Sequence, residues 1–198
     1  MKAKSFKERR FEIAVSYIGD FKSPLLEASS EFSAMTNFAI RTTTHADIPV
    51  ILSLIRELAE YERAPDAVVA TEASLREVLF GERPSAEVLL ALEGDRPVGF
   101  AVYFFSFSTW LGRPGLYLED LFVRPAERMK GYGRALLERL AQIAQERGCG
   151  RMEWAVLDWN DPAIQFYKKL GAIPMTEWTV FRLTQEGIAK LADSNPPS

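Results

Sequence analysis

LYLEDLFVRPAERMKGYGRALL, residues Leu116 to Leu137, decides the fold of this chain, because it reads as a strand, a glycine-containing loop and the start of a helix. In LYLEDLFV the apolar residues run nearly unbroken around one acidic pair, Glu119 and Asp120, which suits a strand buried on both faces whose two charges serve a purpose. Arg124 and Pro125 end that strand. From Gly131 onward, Ala135, Leu136, Leu137, Leu140, Ala141 and Ala144 recur at helical spacing, so Arg128 to Arg134 becomes the loop that feeds a helix N-terminus. The first N–H groups of a helix lack intrahelical acceptors and carry the positive end of its dipole, so such a loop stabilises an anion, phosphate above all.

Outward from this junction, strand and helix signals alternate. Phe38 to Thr42 reads as a strand, and Thr44 with Asp47 opens a helix carrying Ile48, Ile51, Leu52, Ile55, Leu58 and Ala59 on one face, closed by Pro65. Thr71 caps a second helix through about Phe80, with Gly81 just past its end. Strands over Val88 to Leu92 and Val98 to Phe105 flank the turn Gly94-Asp95-Arg96-Pro97. After the long helix, ending near Gly148, a strand over Met152 to Leu157, a helix over Pro162 to Leu170 and short strands near Ala172 and Val180 are expected. This is an α/β pattern with a mixed sheet.

With 198 residues and 47% hydrophobic content, the chain suffices for one compact domain with a sizeable core. A net charge of -3 argues against a nucleic-acid groove as the main surface. No apolar run approaches the roughly 18 residues of a membrane span. The single cysteine, Cys149, rules out an intrachain disulfide and suggests a reducing, cytoplasmic compartment; between Gly148 and Gly150 it reads as a packed or half-exposed thiol. Residues 1–34 read as an appended segment: Met1 to Arg10 is basic, FEIAVSYIGDF is broken by Glu12 and Asp20, and Met35 stands before the first convincing strand. Residues 35–193 are then the domain and 194–198 a polar tail. With His45 the only histidine, a histidine triad or a histidine-rich metal site is excluded, and no metal is expected.

Two general phosphate motifs fail on the loop. G-x-x-x-x-G-K-[ST] is absent, and Gly131-Tyr132-Gly133-Arg134-Ala135-Leu136 puts Leu136 where a dinucleotide fingerprint needs its third small residue. What remains, Arg128-Met129-Lys130-Gly131-Tyr132-Gly133, resembles the R/Q-x-x-G-x-G/A pyrophosphate loop of the GNAT family of N-acetyltransferases. YLEDLFV before the loop, WNDPAIQFYKKLGA from Trp159 to Ala172 and ELAEYE from Glu57 to Glu62 extend the likeness to its spermidine/spermine branch, over about Phe38 to Leu191. The resemblance implies a mixed, mostly antiparallel sheet flanked by helices, and acetyl-CoA as co-substrate.

The resemblance also implies site residues. Acetylating an amine of pKa about 10.4 near neutral pH calls for a base, and the likeness gives that role to Glu119. Pairing with a neighbouring arginine or capping of exposed backbone is the plainer alternative for Glu119; two consecutive acids inside an apolar strand make it less attractive. Tyr167 matches the tyrosine that protonates the departing CoA sulfur, although periodicity alone would make it a core aromatic. Backbone groups of Leu121, Phe122 and Val123 would hold the pantetheine arm, and Arg128, Met129, Lys130, Gly131, Tyr132, Gly133 and Arg134 would cradle the diphosphate. Asn160, Asp161, Pro162, Ala163 and Leu170 would flank the rest of the cofactor. Met129 departs from the glycine that close relatives often carry. Near the acceptor the likeness places Tyr61, Glu62, Glu119, Asp120, Glu153, Trp154 and Ala155.

Several carboxylates attract a cation, so a small cationic amine is the expected substrate. Ser108-Thr109-Trp110 and Leu157-Asp158-Trp159-Asn160 look more like the thialysine-acetylating members than the polyamine ones, where an acid tends to stand in place of Ser108. A homodimer is expected by the same likeness, with neither nucleic acid nor membrane as a partner. A non-catalytic acyl-CoA-binding regulatory module is the alternative, against which the presence of both Glu119 and Tyr167 speaks.

Overall fold

The computed structural model describes residues 37–194, so the readings of residues 1–34 and of the last four residues of the tail lie outside the described residues. β1 (Phe38–Thr42), β2 (Glu87–Glu93), β3 (Arg96–Ser108), β4 (Arg113–Val123) and β5 (Met152–Trp154) form one sheet in the order β1-β2-β3-β4-β5. The first three pairings are antiparallel and β4 pairs with β5 in parallel. Helices flank this mixed, mostly antiparallel sheet, which is the α/β architecture the alternating pattern predicts.

Helix α1 (Ile48–Tyr61) follows a 3-10 turn at His45–Asp47 whose capping box joins Thr44 and Asp47. Arg41 grips Asp47 with two hydrogen bonds of 2.8 and 2.7 Å and holds its carboxyl at about 2. The apolar stripe of α1 lies, with Leu79 of helix α2 (Glu72–Phe80), against Val88, Leu90, Phe100 and Phe122 of the sheet. Alternation turns Tyr103, Leu116 and Leu118 to the opposite face. There helix α3 (Tyr132–Glu146) packs on β3 and β4 with Leu136, Leu137, Leu140 and Ile143 buried. Helix α3 begins earlier than its apolar period suggests, so Gly133 and Arg134 belong to its first turn and the loop proper is shorter.

Arg124 ties α1 to the end of β4. Its guanidinium reaches both carboxylate oxygens of Glu57 at 2.8 and 2.7 Å and donates to the Pro97 carbonyl at 2.6 Å, so three segments distant in sequence meet on one side chain.

The chain divides between Ala155 and Val156 into two compact units. In the second, helix α4 (Asp161–Lys169) is capped by Asn160, whose side chain accepts from the Ala163 N–H at 3.4 Å, and helix α5 (Gln185–Asp193) is capped by Thr184. The chain departs from its sequence pattern in two places. The strand over Met152 to Leu157 is only Met152–Trp154, because β4 carries an extra residue at Glu119 and pairing with β5 stops at Leu118. The short strands near Ala172 and Val180 are absent. Pro174 lacks a ladder donor, Val180 and Phe181 stand exposed, and no described strand pairs with this stretch; the sequence reading also missed α5.

Candidate functional site

The decisive local feature is the bulge in β4. Val102 pairs with Asp120 and Tyr103 with Leu118, which leaves Glu119 as the extra residue. The bulge interrupts alternation, so Asp120, opposite Val102, and Tyr117, opposite Phe104, come to share one face of the sheet with Glu119 between them. Tyr61 and Glu62 arrive at this face from the C-terminal end of α1.

These carboxylates feel one another. Burial first, then the negative charges of Glu119 and Glu62, push the Asp120 carboxyl up to about 6. Desolvation pushes Glu62 up as well. Glu119 itself is exposed. A half-buried carboxyl with two anionic neighbours is a site for a cation, and its shifted acidity marks it as a functional candidate.

Beside this cluster lies the loop into α3. Gly131 is its N-cap, at φ 86°, a left-handed conformation natural to glycine. Met129 adopts φ 66°, where a Cβ is strained, with its side chain fully in solvent. Tyr132 is not a solvent-facing loop residue: its buried ring stacks on Phe38 at 4.7 Å and its hydroxyl donates to Glu93 at 2.6 Å. Lys130 and Arg96 both grip the buried Glu127, at 2.7 and 2.5 Å, and Arg96 also bonds Glu93. The loop is thus latched to the β2–β3 turn. Sequence reasoning missed Glu93, Arg96 and Glu127; only the spacing of Glu127 and Lys130, three apart, hinted at one of these contacts.

Arg128 turns towards the carboxylate side. Its guanidinium lies 4.2 Å from the centre of the Tyr61 ring, and its Nε donates to the Val123 carbonyl at 3.1 Å. Arg134 pairs with Glu138 along α3 at 2.8 Å. Because β5 pairs only with Leu116 to Leu118, the side of β4 away from β3 has no strand partner at Leu121, Phe122 and Val123 among the described residues. That leaves backbone groups of an extended strand able to hold an extended ligand.

On β5, Glu153 lies opposite Tyr117 and pairs with Arg151, Oε2 to Nε 2.8 Å, on the carboxylate face. Trp154, opposite Leu118, is on the other face, and Ala155 is exposed just beyond the strand. The structure therefore brings together Tyr61, Glu62, Glu119 and Asp120, with Glu153 further along the same face, and separates Trp154 from them. In the second unit, Asn160 caps α4, Asp161, Pro162 and Ala163 form its first turn and Leu170 its C-cap. Tyr167 lies half-buried on that helix, its ring 5.5 Å from that of Phe166.

Residues 52–172 match the acetyltransferase (GNAT) family. The chain is similar to thialysine N-epsilon-acetyltransferase of Bos taurus, 43% identical over 164 residues that cover 77% of this chain and 96% of that protein. It is also similar to L-ornithine N5-acetyltransferase NATA1 of Arabidopsis thaliana, 31% identical over 201 residues, 79% of this chain and 88% of that one. Among solved structures, an integron cassette protein from the mobile metagenome of V. cholerae superposes with a TM-score of 0.68 at 31% identity, covering 79% of this chain and 98% of the other. An aminoglycoside acetyltransferase from soil metagenome shares the fold, with a TM-score of 0.65 at 20% identity, over 74% of this chain and 95% of its own.

Asp120 makes this site a stability cost. Because its carboxyl is pushed up to about 6, the folded state holds the proton more tightly than the unfolded chain, so stability falls as pH rises from about 4 to about 6 and the loss is complete at neutral pH. Asp120→Asn is expected to stabilise the ligand-free protein by roughly 1–3 kcal/mol at pH 7.5, with the gain vanishing below about pH 4. Thermal unfolding of both proteins across that range checks it; an Asn variant no more stable at pH 7.5 contradicts the assigned burial and repulsion.

Proposed function

We propose that this chain, which belongs to the GNAT acetyltransferase family and is an N-acetyltransferase, moves acetyl from acetyl-CoA directly to the terminal amine of a small cationic, lysine-like amino acid. The observation that carries the reading is the cluster of Glu62, Glu119 and Asp120 at the β4 bulge, set beside a loop that feeds the N-terminus of α3. Relatives named for thialysine and ornithine acetylation support an amino-acid acceptor over a long polyamine, as does the neutral Ser108.

The residues present suit acetyl-CoA. The backbone N–H groups from Met129 to Arg134 offer donors and the helix dipole to its diphosphate, and the open edge of β4 at Leu121 to Val123 offers strand-like pairing to its arm. When bound, acetyl-CoA supplies an activated thioester. Glu62 and Asp120 hold the cationic acceptor, and Glu119, exposed at the bulge, takes the proton that makes the amine nucleophilic, directly or through water. Tyr167 gives a proton to the departing thiolate. With Asp120 at about 6, the acidic limb of activity belongs to the coupled carboxylates rather than to one residue.

The reading includes two further proposals. The chain works in a reducing, cytoplasmic setting, supported by its single free thiol, Cys149. It also acts as a homodimer, supported by Ile173, Trp178, Val180, Phe181 and Leu183, exposed apolar residues of the second unit. Light scattering at assay concentration should give twice the chain mass; a fully active monomer would refute the dimer.

Catalytic roles separate by pH. Tyr167→Phe should keep acetyl-CoA affinity and lower turnover by roughly 10² at all pH values, whereas Glu119→Gln should lose most at low pH and recover as the amine deprotonates itself. Initial rates from pH 6 to about pH 9 test both, and wild-type turnover in either variant removes its assigned role. The latch gives a separate expectation. Glu127→Gln releases Lys130 and Arg96, so the acetyl-CoA KM should rise several-fold while kcat at saturation changes little. A KM that falls would mean that the freed cations matter more than loop geometry.

A further inference from the structure

We infer that Arg151 reads the carboxylate of the amino-acid acceptor and is the specificity-determining residue that separates amino acids from diamines. The inference rests on the proposed amine-acetylating site and adds the group that recognises the acceptor's far end.

The geometry points there along one face of the sheet. Beyond α1, the carboxylate face continues from Glu119 and Asp120 past Tyr117 to Gly115 on β4, with Glu153 on β5 and Arg151 immediately before it, and Phe104, Ser106 and Ser108 on β3. Phe104, Ser106, Tyr117, Arg151 and Glu153 are only half-buried, so this strip is open to a ligand. Arg151 lies against β4 at its one bare position: a Cβ on Gly115 would come within 3.3 Å of the Arg151 Cγ and 2.8 Å of the Ser106 Oγ. One end of the strip is therefore anionic and the other carries a guanidinium.

The Arg151 fork is only partly occupied. Its Nε lies 2.8 Å from Glu153 Oε2, close enough for an ion pair, yet the angle leaves this buried N–H without a hydrogen bond. Its Nη1 reaches the Ser108 hydroxyl only at 3.5 Å, a weak contact. A guanidinium presents five donors in a plane that matches a carboxylate; with Nε buried beside Glu153, it is the Nη donors, held by Ser108 only weakly, that a ligand carboxylate would pair with. A second ammonium, as in a diamine, would meet the arginine's positive charge instead.

Four positions of β4 separate Glu119 from Gly115, at most about 13 Å along the backbone, because the bulge shortens the strand rise. A linear amino acid, with its terminal amine at one end and its carboxylate at the other, suits a strip with opposite charges at its two ends.

The test compares thialysine with its decarboxylated counterpart, bis(2-aminoethyl) sulfide, using the full chain and acetyl-CoA. The wild type should favour the amino acid in kcat/KM. Arg151→Gln should lower that preference at least tenfold, mainly through the KM of the amino acid, and Arg151→Lys, which keeps charge but not the fork, should retain part of it. Glu153→Gln frees the guanidinium and should raise the preference. Acetyl-CoA affinity by calorimetry verifies that each variant is folded; should Arg151→Gln fail there, Glu153→Gln carries the test alone. An unchanged preference in Arg151→Gln, a wild type that favours the diamine, or a preference that Glu153→Gln fails to raise overturns the inference. A wild type that acetylates neither compound sinks the acetyl-transfer reading itself, an outcome distinct from any change of ratio.

Discussion

The extra residue at Glu119 is the constraint on which the rest of the site depends. A regular strand would send Glu119 and Asp120 to opposite faces and would continue its pairing with β5 past Leu118. The bulge cancels both outcomes at once. Alternation resumes out of phase, so Phe122 still reaches the core under α1 while Asp120 and Tyr117 share the carboxylate face. The ladder to β5 ends at the same place, which opens the edge of β4 just where the chain turns towards the loop of α3. Acidic cluster and open edge are two consequences of one insertion.

Placing carboxylates together without cations is costly, and the protein surrounds the arrangement with rigid, fully paired contacts. Arg124 locks the end of β4 to Glu57 and Pro97, and Arg41 locks Asp47 under the start of α1. Both arginines offer a planar fork to one carboxylate, the geometry in which an ion pair holds position best. Asp120 by contrast has a carboxyl pushed up to about 6, in keeping with a group shaped by what it must bind rather than by stability. The contrast between satisfied and unsatisfied acids is more informative than either set alone.

The sequence disclosed whatever depends on local periodicity. β1, the capping box at Thr44 and Asp47, α2 between Thr71 and Gly81, and the junction from β4 to α3 follow from spacing and end signals. The acidic pair was legible because charge inside an apolar run is conspicuous. Contacts between segments were not. The latch joins Glu93, Arg96, Glu127, Lys130 and Tyr132 across nearly forty positions, and no window of sequence contains it. Tyr132 shows the difference sharply: as the middle residue of G-x-G it reads as part of a phosphate loop, yet its side chain belongs to the core through Phe38 and only its backbone is left for an anion. The second unit was harder still, since residues 172–184 carry β-favouring apolar residues without a strand among the described residues to pair with, and β-propensity without a partner does not make a strand.

Arg128 connects these levels. Its place in the loop motif suggests a direct phosphate contact, but its guanidinium lies over Tyr61 at the end of α1 while its Nε bonds the last carbonyl of β4. Cation–π contact and hydrogen bond together fix the loop to both elements that carry the acidic cluster. A displacement of the loop would therefore move the Tyr61 side of the acceptor face, and a ligand that pulled on Tyr61 would be felt at the helix N-terminus. The latch at Glu127 holds the other side of the same short loop. Held at both ends, the backbone donors of residues 129–134 can keep a fixed geometry even though Met129 occupies a strained left-handed conformation, and its strain is then borne by neighbours that leave it nowhere else to go.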